Sequence, residues 1–250
     1  MNINSNKYTY IFAVVMVVLV AALLSIAATS LKPFQDKNVE LEKKSDILRS
    51  IGIEGEDADA LFAQYITEQL VIQNGAAVAS EVSAFDIDMA SAVALSAEER
   101  QVPLYKAVVE GNTYYVLPLR GKGLWGPIWG YVALEGDGNT ILGATFGHKT
   151  ETPGLGAEIA TPIFPDQFPG KKLFTEAYEG IEVRKGDAAG DQQVDGISGG
   201  TITSVGVQTM ISDCLAPYKT YLMRIASAAA APAVDTLGLA ADTTLTTAAL

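Results

Sequence analysis

The strongest pattern along the chain is an uncharged stretch near its start. Residues 8–31 carry no charged side chain, and residues 11–24 form an unbroken apolar run. A helix over those 24 residues is roughly 36 Å long, which exceeds the hydrocarbon core of a bilayer at about 30 Å. The pattern predicts a short segment over residues 1–8 and a transmembrane helix over residues 9–31.

A cleaved signal peptide is the alternative, because Ser25-Ile26-Ala27 fits a small-x-small cleavage site. Two observations favour a retained anchor. The apolar run is longer than the usual core of a signal peptide, and the leading positive region consists only of Lys7 and the amino terminus. Pro33 is predicted to end the membrane helix, because proline cannot continue the hydrogen-bond ladder.

Residues 32–103 form a predicted helical region that connects the anchor to the body. One helix is expected over residues 38–50, where oppositely charged side chains are three and four positions apart. A second helix is expected from about Asp57 to Ile72, where apolar residues recur at helical spacing behind Asp57 or Asp59 as a cap.

The pattern changes to strands from residue 104 onward. Strands are predicted over 104–110, 113–121, 128–135, 140–148 and 181–185. Gly111-Asn112 and residues 136–139 are turn formers between consecutive strands, which predicts two hairpins. Pro118 is expected near a strand end or a sheet edge, since proline cannot donate to a strand ladder.

The last predicted element is a helix from Ser204 to Ile225, kinked at Pro217. Residues 226–250 are rich in alanine and threonine and are predicted to form a disordered tail. The predicted fold class is therefore α+β: one N-terminal transmembrane helix, then a mixed helix-and-sheet body with an antiparallel sheet, whose main domain covers residues 104–225.

Charge and composition narrow the possible functions. The net charge is −12, from 29 acidic and 17 basic residues, and every acidic residue follows residue 31. An acidic body repels phosphate backbones, which argues against nucleic acid as a partner. The chain has one cysteine, Cys214, so it cannot form an intramolecular disulfide or a cysteine-built iron–sulfur site. It also has one histidine, His148, which leaves few ligands for a zinc enzyme and a single candidate for the histidine of a Ser-His-Asp triad.

Charge alone leaves the orientation of the anchor open. Five basic residues follow the membrane segment closely, which favours a cytoplasmic body: Lys32, Lys37, Lys43, Lys44 and Arg49. However, long domains cross the membrane largely regardless of such charges.

Two glycine-rich segments are candidates for chemistry. Residues 147–158 follow a predicted strand, and Gly154 and Gly156 permit a close backbone approach to a flat or bulky group. Residues 195–204 lead into the last helix, where backbone N–H groups and the helix dipole favour an anion. The alternatives are an ordinary tight loop for the first segment and an N-capping turn with Thr203 or Ser204 as cap for the second.

Four segments in the same order resemble a known family. Residues 195–201, DGISGGT, resemble the covalent flavinylation motif Asp-x-x-Ser/Thr-Gly-Ala-Thr/Ser. Residues 150–159, TETPGLGAEI, residues 121–139, and the membrane helix with the LKPFQDKNVELEKKSDIL stretch behind it are similar to the same family. That family is the C subunit of the bacterial Na⁺-translocating NADH:quinone reductase. The chain departs from the motif at Gly200, where the family has alanine, which puts the rate of flavin attachment in doubt.

The resemblance implies roles for particular residues. It makes residues 104–225 an FMN-binding domain in which Thr201 carries FMN through a phosphodiester. It implies that Asp195, Ser198 and Gly199, next to Gly200, are the signature read by a separate flavin transferase. It also implies that the remaining flavin contacts are made by Trp125, Glu151, Thr152 and Leu155, with Lys185 paired to the phosphate.

The resemblance further implies a redox role in a membrane complex. The chain would relay electrons from NADH towards ubiquinone in a complex that exports Na⁺. Its partners would be the iron–sulfur and flavin-carrying membrane subunits, and its FMN domain would lie on the periplasmic side of the bacterial inner membrane. Two alternatives are the homologous G subunit of the ferredoxin-linked Rnf complex and a membrane-anchored binding protein without a cofactor.

Overall fold

We describe the protein from a computed structural model, which covers residues 5–175 and 179–230. The chain begins with a helix of 45 residues, α1 (Asn6–Ser50), whose N-cap Ser5 accepts a hydrogen bond from the backbone N–H of Tyr8. An 18-residue window of α1 has a mean hydropathy of 3.0 and no buried residue, so α1 is long and apolar enough to cross a membrane.

The predicted break at Pro33 is wrong, because α1 continues through this residue to Ser50. Proline removes one backbone hydrogen bond, but the residues on both sides favour a helix and the ladder resumes after it. The helix predicted over residues 38–50 is therefore the last third of α1. Its end packs on the body, where Ile47 and Leu48 are buried.

The second predicted helix is correct only in its first half. Helix α2 (Ala58–Tyr65) starts behind Asp57, whose side chain accepts from the backbone N–H of Ala60, but the chain then becomes strand β1 (Ile66–Gln73). Residues 66–72 pair with a later strand of the sheet, and that pairing overrides the helical spacing. The region predicted to be helical therefore contributes to the sheet.

Six antiparallel strands form the central sheet in the order β2-β1-β3-β4-β5-β6. The remaining five are β2 (Ala76–Val78), β3 (Val102–Val109), β4 (Asn112–Lys122), β5 (Pro127–Leu134) and β6 (Ile141–His148). The predicted strands over 104–110, 113–121, 128–135 and 140–148 correspond to β3–β6, which confirms both hairpins and the antiparallel sheet.

Pro118 lies inside β4 but at a local edge of the sheet. Its partner in β5 is Tyr131, whereas the pairing of β4 with β3 ends at Val116. Pro118 therefore has a neighbouring strand on one side only, as expected of a residue that cannot donate to the ladder.

The sheet separates two hydrophobic cores. One face packs against the end of α1 and against α2, with Ile47, Phe62 and Tyr105 among its buried residues. The other face packs against the two last helices, with Leu117 and Met210 among its buried residues. Short helix α3 (Met89–Ala92) lies against β4.

The single predicted C-terminal helix is two helices, α4 (Thr201–Leu215) and α5 (Lys219–Ala230), because the chain turns at residues 216–218 around Pro217. The first of these begins three residues before the predicted start at Ser204. Residues 226–230 of the predicted tail are helical, and residues 231–250 lie outside the described residues.

A small parallel sheet precedes α4. It consists of β7 (Glu182–Arg184), where a strand over 181–185 is predicted, and β8 (Gln193–Asp195), which the pattern does not predict. Strand β8 leads directly into the glycine-rich segment before α4, so it fixes where that segment starts.

Candidate functional site

The segment between β8 and α4 is a tight turn that presents Thr201 at the first position of the helix. Gly199 has a φ of +75°, and Gly200 is the N-cap of α4 without a side-chain hydrogen bond. The backbone N–H of Gly200 donates to Ile197 O at 2.9 Å, and the buried Ser204 hydroxyl donates to Gly200 O at 3.0 Å. The alternative interpretation, a turn with Thr203 or Ser204 as the helix cap, does not hold for either residue, since Gly200 is the N-cap.

The hydroxyl groups of this segment differ in accessibility. Thr203 and Ser204 are 1% and 0% exposed, and both are hydrogen-bonded inside the protein. Thr201 and Ser198 are exposed. A modifying enzyme can therefore reach two of the four hydroxyls, and Thr201 is the one that sits on the helix end.

Glu151 links three separate parts of the chain. Its side chain is 5% exposed; Oε1 accepts from the backbone N–H of Trp125 at 2.9 Å, and Oε2 accepts from the Thr203 hydroxyl at 2.6 Å. The backbone N–H of Glu151 donates to His148 Nδ1 at 3.3 Å. The carboxylate thus joins the β4–β5 loop, the segment after β6 and the first turn of α4.

Glycines make room for this carboxylate. A Cβ atom on Gly123 would lie 2.5 Å from Glu151 Oε1, and one on Gly156 would lie 2.5 Å from both Glu151 Oε2 and Thr203 Oγ1. Any larger residue at these two positions would push the carboxylate out of place.

The ionisation of Glu151 follows from its surroundings. Burial raises the pKa of this carboxyl, but the hydrogen bonds from Thr203, Trp125 and Gly126 outweigh burial and hold the pKa below its usual value. A buried negative charge is therefore fixed under the start of α4.

Two cavities meet at Thr201 and Gly199. The first, of about 240 Å³, is lined by four of the residues predicted to contact the flavin besides Thr201 itself: Trp125, Glu151, Thr152 and Leu155. The apolar side chains around this cavity are exposed, and Trp125 is 67% exposed. Leu124 and Ile202 also line the cavity, although the sequence did not predict them as site residues.

The second cavity, of about 490 Å³, lies towards β7 and β8. Its lining includes Asp195, Ser198 and Lys185, all predicted to be site residues, and Arg184, which is not. The Asp195 carboxylate accepts from the backbone N–H of Ala188 at 3.0 Å. That bond fixes the loop that carries Lys185, so Asp195 shapes the second cavity.

The structure places every predicted site residue at one of these two cavities, and Gly200 lines the first, behind Leu155 and Ile197. Two residues of types that often contact ligands or react, a cysteine and the second tryptophan, lie elsewhere. Cys214 is fully buried in the core with its pKa raised to about 11 by burial. Trp129 packs near Arg120 on β4, with the guanidinium 5.6 Å from its ring. Within residues 5–175 and 179–230, no group of acidic, histidine and cysteine side chains is arranged to hold a metal ion.

Comparisons with known proteins define the class. The FMN-binding domain family matches residues 123–216, a range that contains the glycine-rich segments and Thr201. This match defines the class of protein: an FMN-binding domain that follows a helix long and apolar enough to cross a membrane.

Relatives define the family more closely. The C subunit of the Na⁺-translocating NADH-quinone reductase of Vibrio anguillarum is 36% identical over 83% of this chain and 89% of its own length. The same protein of Pasteurella multocida is 37% identical over 76% of this chain and 85% of its own length. The chain belongs to the family of the C subunit of the Na⁺-translocating NADH-quinone reductase. The resemblance found in the sequence is thereby confirmed.

Solved structures agree with this assignment. The crystal structure of the C subunit from Parabacteroides distasonis superposes with a TM-score of 0.70 at 41% identity, covering 77% of this chain and 96% of that one. NqrC of Shewanella oneidensis superposes with a TM-score of 0.65 at 25% identity, covering 75% and 98%. Both structures confirm the α+β fold class. The family, taken together with the apolar helix α1, indicates a membrane-anchored subunit of an oxidoreductase.

Proposed function

We propose that this chain carries FMN covalently on Thr201, through a phosphodiester, and relays electrons from NADH towards ubiquinone within a membrane complex that exports Na⁺. The observation that carries the proposal is the position of Thr201. Its side chain is exposed at the first residue of α4, where the cavities of about 240 and 490 Å³ meet.

The start of α4 suits a phosphodiester. No side chain caps the helix, and within the described residues there is no backbone acceptor for the N–H groups of its first three residues, 201–203. Such groups and the helix dipole stabilise a negative charge. Arg184 and Lys185 line the cavity next to Thr201 and would hold the phosphate by charge.

The other cavity suits the flavin ring. Trp125 and Leu155 are exposed beside Thr201. A flat aromatic ring that covers this apolar surface would remove it from water, which is energetically favourable. Bound FMN supplies the electron-transfer chemistry. The chain's own residues would hold the phosphate at the start of α4 and the ring in the cavity that Trp125 and Leu155 line, where the Glu151 carboxylate is already fixed by its hydrogen bonds.

Attachment requires a partner enzyme. We infer that a flavin transferase, using FAD and Mg²⁺, recognises the signature of Asp195, Ser198 and Gly199. The Thr201 oxygen would form a bond to the FMN phosphorus of FAD and give up its proton, while the pyrophosphate bond of FAD breaks and AMP leaves. The exposure of Thr201 and Ser198 supports access by such an enzyme.

The chain is proposed to have its FMN domain on the periplasmic side of the inner membrane, next to iron–sulfur and flavin-carrying membrane subunits. A covalent link prevents loss of the cofactor on that side. The membrane-spanning part of α1 contains no acidic residue, so the Na⁺ path is assigned to partner subunits, since intramembrane carboxylates mark ion paths.

The test is in-gel flavin fluorescence of the full chain after denaturing electrophoresis, with and without a co-expressed flavin transferase. Wild type and Thr201→Ser are expected to give a fluorescent band that depends on the transferase, and Thr201→Val to give none. Ser204→Ala, which removes a buried hydroxyl of the same segment, is expected to keep the band. A dark wild type beside an active transferase overturns the proposal, and a bright Thr201→Val overturns the assigned residue.

A further inference from the structure

The end of helix α1 and strand β6 run side by side in opposite directions. The Thr145 hydroxyl on β6 donates to Asp46 O on α1 at 3.2 Å, and a Cβ atom on Gly143 would lie 2.5 Å from Ser50 O. The step from Asp46 to Ser50 along the helix and the step from Thr145 to Gly143 along the strand are about equal, roughly 6 Å and 7 Å. Moving along α1 from Asp46 towards its apolar half is therefore moving along β6 towards His148.

A further contact extends this alignment. A cavity of about 490 Å³ is lined by Val39 and Glu42 on α1 and by Trp129 on β5. Trp129 is paired with Gly147, which lies further along β6 than Thr145. The end of the sheet at which β6 stops is therefore the end that faces the membrane-spanning part of α1.

The lengths of these elements give the distance to the bilayer. From Leu31, the last residue of the uncharged stretch, to Asp46 the helix rises roughly 22 Å. From Thr145 to its end at His148, β6 advances about 10 Å, and the β4–β5 loop (residues 123–126) projects beyond that end. Roughly 12 Å remains between β6 and the hydrocarbon core, and lipid headgroups fill about 5–8 Å of it. Side chains of the loop can therefore reach the headgroups.

Three segments that line the cavity of about 240 Å³ form this end of the body. We name them together the membrane-facing end: residues 122–127, 148–155 and 197–202. Their lysines, Lys122 and Lys149, are exposed and form no ion pair among residues 5–175 and 179–230. Their one acidic side chain, Glu151, is buried. Leu124 and Ile202 are 46% and 61% exposed, so this end offers lysines and apolar side chains together.

The opposite end of the sheet is acidic. It consists of residues 51–59, 110–112 and 135–139, which carry seven acidic side chains and no lysine or arginine. An anionic lipid surface attracts lysines and repels carboxylates. Such a surface therefore complements the membrane-facing end and disfavours the reverse orientation of the body.

We propose that the membrane-facing end rests on the lipid surface of the bilayer in which α1 is inserted. Lys122 and Lys149 would contact anionic headgroups. Leu124 and Ile202 would enter the interfacial layer, where burial of their exposed apolar surface is favourable. The buried last turn of α1, with Ile47 against the sheet, keeps the body in this orientation. A protein neighbour in the membrane is the competing occupant.

The test measures how close Trp125, next to Leu124, comes to lipid. The full chain is prepared without a flavin transferase and reconstituted in liposomes, so the outcome is independent of the proposed attachment of FMN. The chain has two tryptophans, and Trp129→Phe leaves Trp125 as reporter, whereas Trp125→Phe leaves Trp129. A lipid spin-labelled on its headgroup should quench Trp125 severalfold more than Trp129, which is half-buried and further from the bilayer. Absent or equal quenching overturns the proposal, and a protein neighbour becomes the candidate occupant of this end.

Lipid charge and lysine variants test the electrostatic part in the Trp129→Phe chain. Quenching should be stronger with phosphatidylglycerol in the liposomes than with phosphatidylcholine alone, and K122Q/K149Q should lower it to the phosphatidylcholine level. K172Q/K219Q makes the same change in net charge away from the membrane-facing end and should leave quenching unchanged. Quenching that responds to neither lipid charge nor K122Q/K149Q overturns the role of the lysines. An alkaline carbonate wash retains only chains with α1 inserted, and thermal unfolding checks that each variant is folded.

Discussion

The hydroxyl of Thr203 donates a hydrogen bond of 2.6 Å to the buried carboxylate of Glu151, and this bond ties the first turn of α4 to the segment after β6. Thr203 is two residues from Thr201, so the bond fixes the position of the residue proposed to carry the flavin. The resemblance implies that Glu151 contacts the flavin. In the structure its two oxygens are already occupied by the chain itself.

We expect Glu151→Gln to destabilise the body and to change its pH dependence. The amide can no longer accept at both oxygens, and a donor or acceptor left unpaired in a buried site costs about 1–3 kcal/mol. The folded pKa of Glu151 lies below its ordinary value of 4.5. The stability that its charge contributes is therefore present at neutral pH and is lost as the pH falls below about 4.5 towards the folded pKa.

The measurement is the melting temperature from pH 7 down to pH 3, for wild type and Glu151→Gln. The wild type should lose more stability than the variant over this range, so that the two curves converge in acid. Glu158→Gln is a control on a more exposed carboxylate of the same segment. Parallel curves for wild type and Glu151→Gln would show that the carboxylate contributes nothing as an anion.

The two adjacent glycines of the motif should respond differently to alanine. Gly199 has a φ of +75°, and a Cβ there would lie 2.6 Å from the Leu155 side chain. Gly200 has a φ of −104°, and a Cβ there would lie 3.0 Å from Leu155 O and 3.1 Å from the Ile197 side chain. The first substitution strains the backbone, whereas the second needs neighbours to move by a few tenths of an ångström.

Gly199→Ala is therefore expected to reduce the yield of flavin attachment and to destabilise the chain by about 1–2 kcal/mol. Gly200→Ala, which restores the residue of the motif, should keep attachment, with its stability within about 1 kcal/mol of wild type. Time courses of in-gel fluorescence at fixed transferase compare the two. Loss of attachment in Gly200→Ala alone would contradict this interpretation of the turn.

Local patterns in the sequence predict the strands of the sheet well where turn residues mark their ends. Hairpin β5–β6 is an example, because the Asp137 carboxylate in its loop accepts from the backbone N–H groups of Asn139 and Thr140. The hairpin of β1 and β2 also has a local signal, which is Asn74-Gly75 with both residues at positive φ. Apolar residues before this turn are also at helical spacing, and that spacing led to the wrong prediction of a helix up to Ile72.

Other features depend on contacts that are distant in the sequence. The Glu151–Thr203 bond spans 52 positions, and no local pattern predicts which two of the four hydroxyls are buried. Likewise, residues 66–72 form a strand rather than a helix because β1 pairs with β3. The resemblance to the motif singles out Thr201, and the structure adds why its neighbours Thr203 and Ser204 are closed to modification.

Cys214 should be inert in the folded protein. It is fully buried on α4, and burial raises its pKa to about 11, so the thiol stays protonated at neutral pH. Iodoacetamide at pH 8 should leave the native full chain unmodified and should add one adduct per chain in guanidinium, as read by mass spectrometry. Ser198→Cys provides an exposed thiol on the same chain as a positive control. Native labelling of Cys214 at the rate of that control would contradict its burial.

The end of α1 should behave as part of the body rather than as a free tether. Ile47 is fully buried between α1 and the sheet, whereas Val39, two turns earlier on the same helix, is 64% exposed. Ile47→Ala is expected to lower the free energy of unfolding by about 2–5 kcal/mol, because it removes buried methyl groups and leaves a cavity. Val39→Ala should change it by no more than about 0.5 kcal/mol. Urea unfolding followed by tryptophan fluorescence reports on the body mainly through Trp129, which is half-buried on β5. If the two variants were equally stable, the end of α1 would not be held against the sheet, and the domain would be joined to the membrane by a loose linker instead of a rigid helix.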